Sequence, residues 1–274
     1  MLNVQMRHAV HADHVKTMDT GELRRHFLVS GIFKAGEINL VYTHYDRMVL
    51  GGAVPAGGEL LLEKVDETRT ATFLERREMA VVNIGASGSV SADGERWTLN
   101  RGDVLYLGKG TGAVTFGGDG RFYLASAPAH RAYPARLITV EQSAEVKLGE
   151  TGTSNKRTIN QFVHPLVMES CQLVLGYTTL EEGSVWNTMP CHQHDRRMEA
   201  YLYFNMDQES RVLHLMGEPN ETRHLLIANE EGAVSPPWSI HSGVGTGAYT
   251  FVWAMAGDNV DYTDMDFIQP GELR

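Results

Sequence analysis

The sequence predicts an all-β protein made of two barrels of one plan, with only short helices at the periphery. Two observations carry this. Short apolar runs are punctuated by glycine turns at positions such as Gly51-Gly52, Gly57-Gly58, Gly85, Gly94, Gly102 and Gly110. Short strands at regular turn spacing point to a sandwich or barrel. The two halves can also be laid on one another. Val49-Leu50-Gly51 falls on Val174-Leu175-Gly176, residues 75–80 fall on 195–200, and Gly102-Asp103-Val104 falls on Gly232-Ala233-Val234. The expected division is an N-terminal barrel over residues 1–150 and a C-terminal barrel over residues 151–274.

In chain order, Asp19-Thr20-Gly21-Glu22 has the form of a capping box, with a short helix expected behind it over residues 23–28. His8, His11 and His14 precede it at a spacing that fits one helical face. No acidic or histidine partner is arranged with them, so they read as surface residues. Strand patterns begin near Glu37, with Ile38-Asn39-Leu40-Val41-Tyr42 and Met48-Val49-Leu50. Residues 134–153 hold few large apolar side chains and read as a connection containing one strand-like run, residues 135–140. A polar, cationic stretch over residues 153–165 opens the second half, and strands resume from Cys171 to Ala256.

The stretch Pro190-Cys191-His192-Gln193-His194-Asp195-Arg196-Arg197-Met198-Glu199 organises the second half. Alternate side chains of a strand share a face, so His192 and His194 point together. Glu199 breaks that parity. A tight turn over residues 195–198 restores it by placing Glu199 on the returning strand, residues 199–204, paired with the first. Pro236-Pro237-Trp238-Ser239-Ile240-His241 supplies a third histidine on a proline-stiffened approach. Three imidazoles and a carboxylate suit a divalent ion such as zinc, iron, manganese or nickel. The positions matching His192, His194, Glu199 and His241 in the first half are Thr72, Leu74, Met79 and about Thr111. That half is therefore expected to be without a metal site, and Glu78 alone does not make one.

Composition narrows the function class. Lys and Arg number 24 against 34 Asp and Glu, a formal charge of −10, and no basic block stands out. Nucleic acid and anionic membrane surfaces are thus poor partners. Two cysteines, Cys171 and Cys191, fit a reducing compartment, and Cys191, on the opposite face from His192, reads as structural. Residues 1–19 have no apolar core and no transmembrane run occurs, so a cytoplasmic protein is expected.

The His-x-His-x(4)-Glu element with Gly183 ahead of it, followed by a proline-flanked histidine, resembles the two motifs of the cupin superfamily. Pro236-Pro237 stands where that pattern has Pro-x-Gly. The runs over residues 153–162, 189–199 and 236–243 resemble the 5-keto-4-deoxyuronate isomerase family, and the likeness extends over essentially the whole chain. The resemblance implies a bicupin fold and one zinc ion per subunit on His192, His194, Glu199 and His241. It also implies a homohexamer and a step of pectin degradation, the conversion of 5-dehydro-4-deoxy-D-glucuronate to 3-deoxy-D-glycero-2,5-hexodiulosonate. Such an aldose–ketose isomerisation moves a proton between adjacent carbons and needs an acid–base group, for which Glu199, if it leaves the metal, and a metal-bound water are the candidates. A uronate carboxylate calls for an arginine clamp, with Arg157 and Arg196 as candidates, and Lys156, Tyr201 and Tyr203 as further lining residues. His164 and His214 have no placing motif. Two rival readings use the same ligands: an iron-dependent cupin oxygenase and a non-catalytic sugar-acid-binding bicupin.

Overall fold

The computed structural model describes residues 1–274. It is a bicupin of jelly-roll-like units, each formed from two packed sheets whose edges stay open. No helix is long and apolar enough to cross a membrane.

The first unit comprises residues 1–7, 31–143 and 162–174. Its seven-stranded sheet runs Leu2–Arg7, Glu37–Thr43, Val49–Val54, Phe122–Pro128, Arg77–Asn83, Val104–Leu107 and Arg136–Ile138 in spatial order. A four-stranded sheet, Glu59–Leu62, Val114–Gly118, Gly88–Ala92 and Glu95–Leu99, covers one face. Leu40, Met79, Val81, Phe116 and Phe122 belong to the apolar cluster between the sheets. Beside Met79, on the other face of the same strand, Glu78 is fully buried. Its carboxylate accepts the backbone N–H groups of Cys171, Gln172 and Leu173 at 2.6–2.8 Å and the Tyr106 hydroxyl at 2.6 Å. Four donors answer the cost of burying a carboxylate.

The second unit comprises residues 8–30, 144–161 and 175–274. Its seven-stranded sheet runs Ala144–Leu148, Arg157–Val163, Val174–Leu180, Thr250–Gly257, Arg197–Phe204, Glu231–Ser235 and Leu28–Val29. The facing sheet holds Glu221–Ile227, Val212–Glu218, His241–Gly245, Trp186–Gln193 and Asp266–Ile268. The helix Thr20–Phe27 starts at the expected capping box, with Asp19 and Glu22 each bonding the other's backbone N–H.

The units therefore do not divide the chain at a single point. Residues 8–30 go with the second unit, where Leu28–Val29 extends its larger sheet. Residues 162–174 go with the first, where Glu78 holds their end. The supposed connection over residues 134–153 contains two edge strands, Arg136–Ile138 and Ala144–Leu148, which join different units. Few large apolar residues are needed in such strands, because an edge strand buries little.

The internal match seen in the sequence has a physical basis. A Cβ on Gly51 would lie 2.6 Å from the Asn39 carbonyl oxygen, and one on Gly176 would lie 2.4 Å from that of Asn160. In both units the neighbouring strand approaches too closely for any side chain.

Candidate metal centre

Trp186–Gln193 and Arg197–Phe204 are joined by the expected tight turn, closed by the Arg197 N–H bonding the His194 carbonyl at 3.3 Å. The strands it joins are not paired, in contrast to the expectation. The first pairs with His241–Gly245 and Asp266–Ile268, the second with Glu231–Ser235 and Thr250–Gly257. The turn thus crosses from one sheet to the other, which carries Glu199 over to face the histidines. A bulge between Asn187 and His192 then sets His192 directly opposite His241. His241 itself follows a turn in which the Ser239 N–H bonds the Pro236 carbonyl at 2.9 Å.

The structure brings His192, His194, Glu199 and His241 together, all buried, with one ligand atom from each lying within 4.8 Å of the others. Glu199 Oε2 is 3.1 Å from His194 Nε2 and 2.9 Å from His241 Nε2, and His241 Nε2 is 3.0 Å from His192 Nε2. The outer nitrogens of two rings are engaged. His194 Nδ1 lies 3.2 Å from the Asp264 carbonyl oxygen, and His241 Nδ1 lies 3.2 Å from Ser235 Oγ. A carbonyl only accepts, so His194 carries a proton on Nδ1 and presents Nε2 to the carboxylate. With no proton between them, nitrogen facing nitrogen and nitrogen facing carboxylate are repulsive contacts. Protons relieve them singly; one cation among the four relieves them all. The donor set fits a divalent ion held by three nitrogens and one oxygen.

Electrostatics agree with that use. Burial, then His241, holds the His192 imidazole well below its usual value, which keeps it neutral. Burial opposes charge on Glu199, yet His241 and His194 outweigh it and hold the carboxyl well below the usual range. Burial, then Glu199, holds the Tyr201 phenol well above its usual value and pushes Tyr262 up to about 12. Both phenols stay protonated and can donate.

His192, His194 and Glu199 line one wall of a cavity of about 250 Å³. Apolar groups including Ile159, Phe251, Trp253 and Met255 line much of the rest. Its other polar groups include Arg157, Gln161, Thr188, Tyr201 and Tyr262. Arg157 Nε and Gln161 Oε1 are buried without a hydrogen-bond partner.

The remaining sequence candidates lie elsewhere. Arg196 is 56% exposed on the turn and reaches only Asp264, at 3.5 Å. Strand alternation would have set it beside the histidines, but the turn has already begun at this position. Lys156 pairs with Glu181 at 2.9 Å. Tyr203 is packed away from the cavity, its hydroxyl 2.8 Å from His214 Nδ1. Burial, then His241, pushes His214 down to about 3. His164 is a buried residue of the first unit. Gln161, Tyr262 and Asp264 were not read from the sequence. The last two lie in an irregular segment without periodicity, and Gln161 lies within the run over residues 153–162 but was not singled out there.

Comparison with known proteins places this geometry in context. The family model described as the KduI/IolB family matches residues 27–269. A relative from Agrobacterium fabrum named 4-deoxy-L-threo-5-hexosulose-uronate ketol-isomerase is 72% identical over 274 residues, covering 100% of both chains. Among solved structures, an IolB-like protein from Salmonella typhimurium LT2 is similar with a TM-score of 0.68 at 16% identity, over 81% of this chain and 86% of the other. A variant of oxalate decarboxylase from Bacillus subtilis is similar with a TM-score of 0.57 at 9% identity, over 78% and 70%. These two likenesses speak to the cupin fold alone.

Proposed function

The chain belongs to the KduI/IolB family, and from that membership we infer that it is a ketol-isomerase acting on 4-deoxy-L-threo-5-hexosulose uronate. The observation that carries the reading is the 72% identity over the whole of both chains. The cavity agrees in scale. At about 250 Å³ it suits a single sugar acid and not a polymer. We further propose that it acts in pectin degradation, in the cytoplasm, as a homohexamer.

Zinc is our choice of ion, one per subunit, because three neutral imidazoles and a carboxylate suit it. When bound, a divalent ion supplies positive charge beside the oxygens that become negative as the enediol forms. The protein's own groups do the rest. Arg157 anchors the substrate carboxylate through a guanidinium whose Nε has no protein partner. Tyr201 donates its phenolic proton in a hydrogen bond to a substrate oxygen, a role its raised pKa preserves. Glu199, once released from the ion, carries the proton from one carbon to its neighbour. The apolar wall around Phe251 and Trp253 keeps water from the reactive intermediate.

The test is to follow the uronate by NMR with native and chelator-stripped protein. Conversion to the diketo acid in the native sample alone is the expected result. No conversion by metal-loaded protein would overturn the isomerase. Oxygen uptake under the same conditions would then favour an oxygenase.

A further inference from the structure

One carboxylate outside the ligand set touches both the centre and the cavity wall. Asp264 is 9% exposed in its side chain and sits in the irregular segment between the strands Thr250–Gly257 and Asp266–Ile268. Its carbonyl oxygen accepts the His194 Nδ1 proton at 3.2 Å. Its carboxylate Oδ1 pairs with Arg197 Nη2. Arg197 is wholly buried, and its Nε and Nη1 have no acceptor, so Asp264 is the counter-charge that its burial requires. Asn259 Nδ2 donates to the second carboxylate oxygen at 3.0 Å. Tyr262, Met265 and Phe267, on either side of Asp264, line the cavity.

We propose that Asp264 is a positioning residue that fixes, in one stroke, the orientation of His194 and the cavity wall carrying Tyr262 and Phe267. The Arg197 pair holds the main chain at Asp264 in place. The carbonyl so placed selects the His194 tautomer with a bare Nε2, and groups that orient a ligating imidazole this way strengthen metal binding. The same anchor holds the segment that supplies Tyr262, Met265 and Phe267 to the cavity lining. Metal affinity and substrate affinity therefore share one residue that touches neither ligand. The inference rests on the reading that His192, His194, Glu199 and His241 hold a divalent ion.

The experiment compares wild type with Asp264→Asn, which keeps the size and the backbone carbonyl but removes the counter-charge. Stripped protein is titrated with Co²⁺ against a competing chelator, and KM for the uronate is measured at saturating Co²⁺. Asp264→Asn is expected to bind Co²⁺ about 10- to 100-fold more weakly, with an altered Co²⁺ absorption band, and to raise KM about fivefold or more. A variant whose melting temperature falls while Co²⁺ affinity and KM stay within about twofold of wild type would overturn the proposal, since a purely structural pair moves only the first. If Asp264→Asn does not fold, Asn259→Ala replaces it, because that half-buried side chain contributes one bond to the same carboxylate. Weakening of Co²⁺ binding by about three- to tenfold supports the assignment, and unchanged binding overturns it. A folded wild type that takes up no Co²⁺ would instead sink the metal reading beneath it.

Discussion

The two units pass their chains through the same turn and arrive at opposite chemistry. In the first, the Arg77 N–H returns to the Leu74 carbonyl at 3.4 Å; in the second, the Arg197 N–H returns to the His194 carbonyl at 3.3 Å. Both arginines open a central strand and both are buried. Arg77 is satisfied by neutral groups, the Ser126 hydroxyl and carbonyl and the Arg47 carbonyl, beneath the rings of Tyr42 and Phe73. Arg197 relies on Asp264. Two residues further on, Met79 packs among apolar side chains while Glu199 faces three imidazoles. The backbone decides where the side chain at this register points. Whether that direction leads into a dry core or a charged centre depends on a few residue types.

Making the second unit resemble the first should have the largest effect. Glu199→Met copies the residue at position 79 and removes the one carboxylate of the centre. Metal content should fall to background and kcat/KM by at least about 10³-fold, with circular dichroism unchanged. Retained metal and activity would break the comparison at its central point.

The reverse exchange tests stability. Met79→Glu puts a carboxylate into an apolar cluster with no imidazole to meet it. The first unit should lose about 3–4 kcal/mol in chemical denaturation without acquiring a metal, because an uncompensated buried charge costs that much. A neutral outcome would mean that the interior admits water.

The smallest effects separate two arginines. Arg157→Ala should raise KM for the uronate by about 10- to 100-fold with less change in kcat, the loss of one charge-assisted contact. Arg196→Ala, at an exposed position, should leave KM within about twofold. The opposite ranking would place the substrate carboxylate at the turn.

How much of this was legible depends on what each residue's position obeys. Strand alternation placed His192 and His194 together, and the proline-flanked run marked His241, because both are local rules. The turn over residues 195–198 was legible as well. That it crosses between sheets was not, since pairing partners are set by contacts far along the chain. Arg196 was misplaced for the same reason: alternation counts residues, and a turn resets the count. Asp264 and Tyr262 come from a segment with no periodic pattern, so only folding brings them to the site. The interleaving of the units escaped the division at residue 150, because residues 162–174 carry no local sign that Glu78 awaits them.

That last contact has a bearing on how the protein is made. A ribosome has delivered every strand of the first unit by residue 138, yet the Glu78 carboxylate still lacks the three backbone donors at residues 171–173. At roughly 5–20 residues per second, the nascent chain waits about 2–7 s between the two events. During that interval Glu78 has only the Tyr106 hydroxyl among its four final donors. A fragment released at residue 150 would stay in that condition permanently. The first unit is completed by chain that is synthesised after the second has begun.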